Sequence, residues 1–204
     1  MALDAIEQAL VRVPVRDHRI RIEHAQILRP QDLPRFATLG VLASYQWMHA
    51  TLDMPWAEAR VGRDRLQAAY AWRAMLTSGA RVVGESDEGA RTFSPFMGMH
   101  AAVTRQDAKG LPPGGWRPEQ RLTRYEALKS YTLDAAYASF EEDVLGSLTP
   151  GKYADLVVLS KDIMTVPAEE ILQTEAVMTM VAGKIAFERP PVAPTARRGS
   201  GRSS

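Results

Sequence analysis

Apolar positions along the chain change period several times, and each change marks an element. Leu3, Ile6 and Leu10 fall on one face at helical spacing, which predicts a first helix over residues 2–11. That helix opens without a Ser, Thr, Asp or Asn cap, so the chain reads as beginning inside an element. Arg19 to Ala25 alternates apolar and polar residues through His24 and predicts a strand. Residues 29–40 predict a short helix, with Pro30 in its first turn and Gly40 as its stop. Val41 to Gln46 reads as a second strand, followed by Trp47, Met48 and His49. Between Gly62 and Gly79 the pattern predicts one long helix, because Leu66, Ala69, Tyr70, Trp72, Arg73 and Leu76 form a broad face. Ala80 to Gly84 predicts a third strand, followed by Glu85, Ser86 and Asp87.

Residues 2–87 therefore read as a helix followed by strand, helix, strand, helix and strand. Such alternation predicts an α/β fold whose strands run parallel and are joined by helical crossovers. Each strand ends at a polar candidate: His24, then Gln46 and His49, then Asp87. Barrels of the (β/α)8 type carry their active sites at the C-terminal ends of the strands, so these positions are the first candidates for chemistry. His18 precedes its strand and His100 falls inside a helical stretch, so neither is assigned to a site.

Downstream, Pro95 to Arg105 predicts a short helix packing Phe96, Met99 and Val103, and residues 107–118 form a Gly/Pro-rich loop. Thr123 with Glu126 three residues on is a capping-box signature for a helix running to about Phe140. Pro150-Gly151 reads as a tight turn, and Ala154 to Leu159 reads as a buried strand. Asp155 is expected to make a structural hydrogen bond at the entry of that strand, and Lys152 to be a solvated turn lysine. Pro167 to Ile171 predicts a helical turn, and residues 177–187 a β-hairpin turning near Ala182-Gly183. Residues 189–204 hold Pro, Arg, Gly and Ser with almost nothing apolar, the composition of a disordered tail.

Composition narrows the chemistry. Lys and Arg number 25 against 24 Asp and Glu, so there is no electrostatic footprint for nucleic acid, and the arginines of the tail are read as solvated. The chain has no cysteine, which excludes disulfides and thiolate metal sites and leaves only four histidines and the carboxylates as donors. No apolar run approaches the roughly 18 residues of a membrane span, and Asp4 and Glu7 interrupt any signal-peptide pattern. The expectation is a cytoplasmic protein acting on a small molecule, with no nucleic-acid or membrane partner.

The most specific stretch runs from Gly146 through Pro150-Gly151-Lys152 and Asp155 to Leu159. Its pattern G-S-L-x-P-G-K-x-A-D-L-V-V-L resembles the C-terminal signature of metal-dependent amidohydrolases. Residues 21–26 (R-I-E-H-A-Q), 46–49 (Q-W-M-H), Ser86-Asp87, 101–105 (A-A-V-T-R) and 115–118 (G-W-R-P) occur in the order expected of one branch. In combination they resemble amidohydrolase family 3, in its YtcJ-like branch, over residues 2–188. The resemblance implies the C-terminal part of a (β/α)8 barrel, about three βα units over residues 1–140. Part of a small composite β-sandwich would follow over 141–188, and the tail over 189–204.

The resemblance also implies hydrolysis of non-peptide C–N bonds with zinc or a similar divalent metal. His24 matches the metal-ligand histidine ending barrel strand 6, and Asp87 the aspartate ending strand 8. Neutral imidazole and carboxylate suit zinc, and Asp87 would pass a proton from water to the leaving nitrogen. His49 matches the strand 7 histidine and is expected to position substrate or stabilise an oxyanion. Two features depart from the family. Glu88-Gly89 follows Asp87 where an aromatic and a proline are usual, and the family's first-strand His-x-His, bridging ligand and strand 5 histidine have no counterpart. Three strands cannot close a barrel that takes about 250 residues. The expectation is therefore a fragment, or an inactive module that self-associates or pairs with a separate N-terminal half.

Overall fold

The computed structural model describes residues 1–87 and 94–190. Residues 191–204 of the tail expected over 189–204, and the Glu88-Gly89 departure, lie outside the described residues.

The chain opens with α1 (Ala2–Arg12), which lays Leu3 into the core. Strand β1 (Arg21–Ile22) is shorter than the alternation predicts, since the backbone turns at Glu23. Next come β2 (Ile27–Leu28), a 3-10 turn at Pro30–Asp32, and α2 (Leu33–Leu39), closed by Gly40 at φ 68° as its C-cap. Strand β3 (Leu42–Gln46) leads into α3 (His49–Asp53) and α4 (Ala57–Val61). After a 3-10 turn at Arg63–Gln67 come β4 (Ala68–Ala69), α5 (Trp72–Thr77) and β5 (Val82–Glu85).

The long helix predicted over 62–79 is thus replaced by a 3-10 turn, a strand pair and a short helix. Tertiary partners take the backbone groups that the helix would have used. Ala68 and Ala69 pair antiparallel with Leu28 and Ile27, and the Tyr70 amide donates to the Gln26 carbonyl at 2.7 Å. The Arg117 guanidinium donates to the carbonyls of Leu66, Gln67 and Ala69. An apolar face at helical spacing is a weak prior against such partners.

Strands β1, β3 and β5 form one parallel sheet with β3 in the centre, as the α/β reading expects. Every residue of β3 is buried. Because side chains alternate across a strand, Ala43, Tyr45 and Val82 point into the main core. There they meet Phe36, Trp47, Trp72 and Met75. Burying each side chain of this size stabilises the fold by about 1.5–3 kcal/mol. Leu42 and Val83 on the other face pack on Ala135, Tyr137 and Ala138 of a later helix. Both lie early in their strands, so that helix covers the N-terminal end of this face. Ser44, Gln46 and Glu85 share the same face further along.

Helix α6 (Pro95–Thr104) is followed by α7 (Arg124–Tyr131) and α8 (Leu133–Ala138). The capping box at Thr123 and Glu126 forms as predicted. The helix expected to run to about 140 breaks at Thr132, at φ −122° and ψ −87°. At this break the chain passes so close to residue 146 that a Cβ on Gly146 would sit 2.8 Å from that of Ala136. Tyr137 then serves as a platform for two cations, Arg19 at 3.9 Å and Arg81 at 3.6 Å from the ring centre.

A second sheet, β6 (Leu156–Leu159), β7 (Ala176–Val181) and β8 (Lys184–Glu188), is antiparallel in sequence order. The β7–β8 hairpin turns through Ala182 at φ 49° and Gly183 at φ 77°, the left-handed pair of a tight hairpin. Asp155 Oδ1 accepts from the Ala182 amide at 2.6 Å, the structural bond expected of it.

Two expectations fail in this region. Strand β6 is not buried: Val157 and Val158 are exposed, and only its end, at Leu159, packs against the main core. Lys152 is not simply solvated. Its Nζ donates to the carbonyls of Glu142 and Leu145, which pins the turn preceding the signature. No helix among the described residues is long and apolar enough to cross a membrane.

Candidate active site

A parallel sheet brings the C-terminal ends of its strands to one edge, and the three predicted residues follow those ends. His24 lies two residues beyond β1, His49 opens α3 three residues beyond β3, and Asp87 lies two residues beyond β5. The imidazoles of His24 and His49 stack with centroids 5.4 Å apart and planes 11° from parallel. His24 and Asp87 are both exposed and both left-handed, at φ 67° and φ 56°. Left-handed backbone is uncommon outside glycine, though His and Asp adopt it more readily than most. Both candidate donors therefore sit on left-handed backbone two residues beyond a strand end.

His49 is half-buried. Burial depresses its pKa, the Asp53 carboxylate raises it, His24 lowers it further and Asp87 raises it. The balance favours neutral imidazole, the form that accepts a proton or binds a metal. The structure therefore brings His24 and His49 together in a stack and brings Asp87 within electrostatic reach of His49.

Several residues of this site were missed by sequence reasoning. Ser44 Oγ donates to Glu85 Oε1 at 2.7 Å on the free face of the sheet. Burial raises the Glu85 pKa, against the Ser44 bond and with help from nearby Glu23. Alternation within β3 and β5 could have placed Ser44 and Glu85 on that face. Asp53 is buried, and its Oδ2 accepts from Tyr70 Oη and from Gln26 Nε2, each at 2.8 Å. No local pattern signals that cluster, which joins three separate segments.

The donor chemistry of the edge suits a divalent metal: imidazole and carboxylate, with no thiolate available. The donor count is incomplete, because among the described residues no three His, Asp or Glu side chains are grouped to hold an ion. His24 and Asp87 can serve as two donors of a larger set.

Residues 1–187 match the amidohydrolase family. The chain belongs to that family. It is 28% identical over 190 residues to the Bacillus subtilis protein YtcJ, named as an amidohydrolase, covering 93% of this chain and 36% of the relative. It is 32% identical over 194 residues to the N-substituted formamide deformylase of Arthrobacter pascens, covering 93% of this chain and 34% of the relative. Among solved structures, a metal-dependent hydrolase from Pyrococcus horikoshii OT3 superposes with a TM-score of 0.69 at 30% identity, over 82% of this chain and 32% of that one. The chain thus spans about a third of the length of the relatives it matches. The YtcJ-like resemblance read from the motifs is borne out by these matches, as is the α/β class.

Proposed function

We propose that this amidohydrolase chain supplies the strand 6, 7 and 8 side of a metal-dependent site that hydrolyses non-peptide C–N bonds. The observation that carries the reading is the meeting of three strand ends at one edge, with His24, His49 and Asp87 gathered there. In this reading residues 1–140 are three βα units of a (β/α)8 barrel and residues 141–188 are part of a β-sandwich. The length of the relatives supports a donor set completed by residues outside 1–204.

His24 and Asp87 are assigned as ligands of a divalent metal, with zinc the first candidate. The chemistry such a metal supplies is activation of water near neutral pH. Asp87, exposed at its strand end, takes up the proton lost by that water and delivers it to the departing nitrogen. His49, neutral and half-buried beside His24, faces the same edge and binds the substrate carbonyl oxygen or the charge that develops on it. The deformylase relative points to a small N-substituted amide as substrate class. Assay of such an amide with added zinc, by the chain mixed with an N-terminal portion of a family member, tests this. Turnover that falls at least about a hundredfold in Asp87→Asn supports the assignment, and equal turnover in the variant overturns it.

A second reading has its own support. The incomplete donor group and the uncovered apolar residues of β6 and β8 suit a non-catalytic module that pairs with a separate N-terminal half. Zinc-supplemented chain that binds an N-terminal portion of a family member yet shows no turnover in the mixture selects this reading.

A further inference from the structure

The cluster around Asp53 uses buried polar groups that neither the family motifs nor the proposed chemistry assigns. We infer that Asp53 is a positioning residue, clipping the loop that carries His24 to the helical turn that carries His49. The residues form one short path. Gln26 lies two positions after His24, and Gln26 Nε2 donates to Asp53 Oδ2 at 2.8 Å. Asp53 ends α3, one helical turn after His49 at its start. A single hydrogen bond thus ties the segments bearing the two stacked rings.

Tyr70 secures the clip from a third segment. Its hydroxyl donates to the same Asp53 oxygen at 2.8 Å inside the protein. Tyr70 itself is held by backbone, its amide donating to the Gln26 carbonyl at 2.7 Å and its carbonyl accepting from Arg105 Nη1 at 3.2 Å. Its left-handed φ of 48° belongs to this arrangement, which also breaks the helix expected there. Gln26 and Tyr70 are therefore bonded to each other through backbone and to Asp53 through side chains, a closed three-residue loop.

Hydrogen bonds to a charged acceptor are shorter and roughly twice as strong as neutral ones, and Asp53 is almost fully buried. A carboxylate held this way has little freedom. It transmits that restriction to the His49 turn on one side and to the His24 loop on the other. Second-sphere contacts of this kind orient metal ligands, and their loss typically costs about 10–100-fold in metal affinity. The consequence for metal rests on the proposed function; the clip itself rests on geometry alone.

The test uses the 204-residue chain and two readouts. The first is the nuclear Overhauser contact between the ring protons of His24 and His49 in metal-free protein, with thermal unfolding as a folding control. Asp53→Ala risks the fold, so the partly exposed Gln26 is the better probe. Gln26→Glu opposes two carboxylates and is expected to abolish the ring contact while the chain stays folded. The double variant Gln26→Glu with Asp53→Asn restores a donor on residue 53 and is expected to restore the contact. A ring contact unchanged in Gln26→Glu, or absent from the double variant, overturns the inference. The second readout is the affinity for zinc alone, expected to fall about tenfold or more in Gln26→Glu and to recover in the double variant. A ring contact that responds as expected in the variants, while the wild-type chain binds no zinc, upholds the clip and refutes zinc binding by this chain on its own.

Discussion

His24 and Asp87 each place a non-glycine residue in left-handed backbone at the end of a strand, at an intrinsic cost of about 1–2 kcal/mol. The sequence shows which residues end the strands, but not that these two take left-handed torsions. Glu126 shows a different residue-scale balance. Its carboxylate receives Arg73 at 2.6 and 2.5 Å and closes the capping box with the Thr123 amide at 2.7 Å. Those bonds, Arg73 foremost, hold its pKa down at about 2, against an ordinary 4.5. Because the folded-state value is the lower one, the stability it contributes is present above pH 4.5 and is lost as pH falls toward 2. Replacement of Glu126 by Gln is expected to cost about 1 kcal/mol at neutral pH and to flatten the acid limb of a stability–pH curve. Chemical denaturation across that range checks this, and parallel acid limbs in the two proteins contradict it.

Among the elements, the helices that formed as read are those whose signals are local. Gly40 stops α2, and Thr123 with Glu126 starts α7. The hairpin at Ala182-Gly183 is likewise local. The elements that departed are those set by distant partners: β4 through β2 and Arg117, and the α7–α8 break through the approach of Gly146. The contact of α6 with α7 has the same character. Gly98 lets the two helices touch so closely that a Cβ there would lie 2.1 Å from Tyr131 Oη. Gly98→Ala is therefore expected to destabilise the fold by about 1–3 kcal/mol through overpacking, although alanine favours an isolated helix by about 1 kcal/mol. A denaturation midpoint raised by the substitution contradicts this packing.

For the whole molecule, the family and the α/β class were legible because motif order and strand–helix alternation survive local misreadings. Of the candidate site, the placement of His24, His49 and Asp87 just beyond strand ends was legible, since a parallel sheet gathers whatever ends its strands; their roles belong to the proposed function. The cluster of Asp53, Gln26 and Tyr70 was not, because its bonds join residues up to 44 positions apart and depend on a helix that fails to form. The exposure of Val157 and Val158 in β6 was hidden for a related reason: an apolar run reads as buried whether or not its neighbours cover it.

Zinc titration of the chain by calorimetry, with wild type beside His24→Ala and Asp87→Ala, bears most directly on the central claim. The expected result is saturable binding by wild type that weakens at least about tenfold in each variant, with unchanged unfolding midpoints. Equal zinc binding by all three proteins would contradict the assignment of His24 and Asp87 as metal ligands.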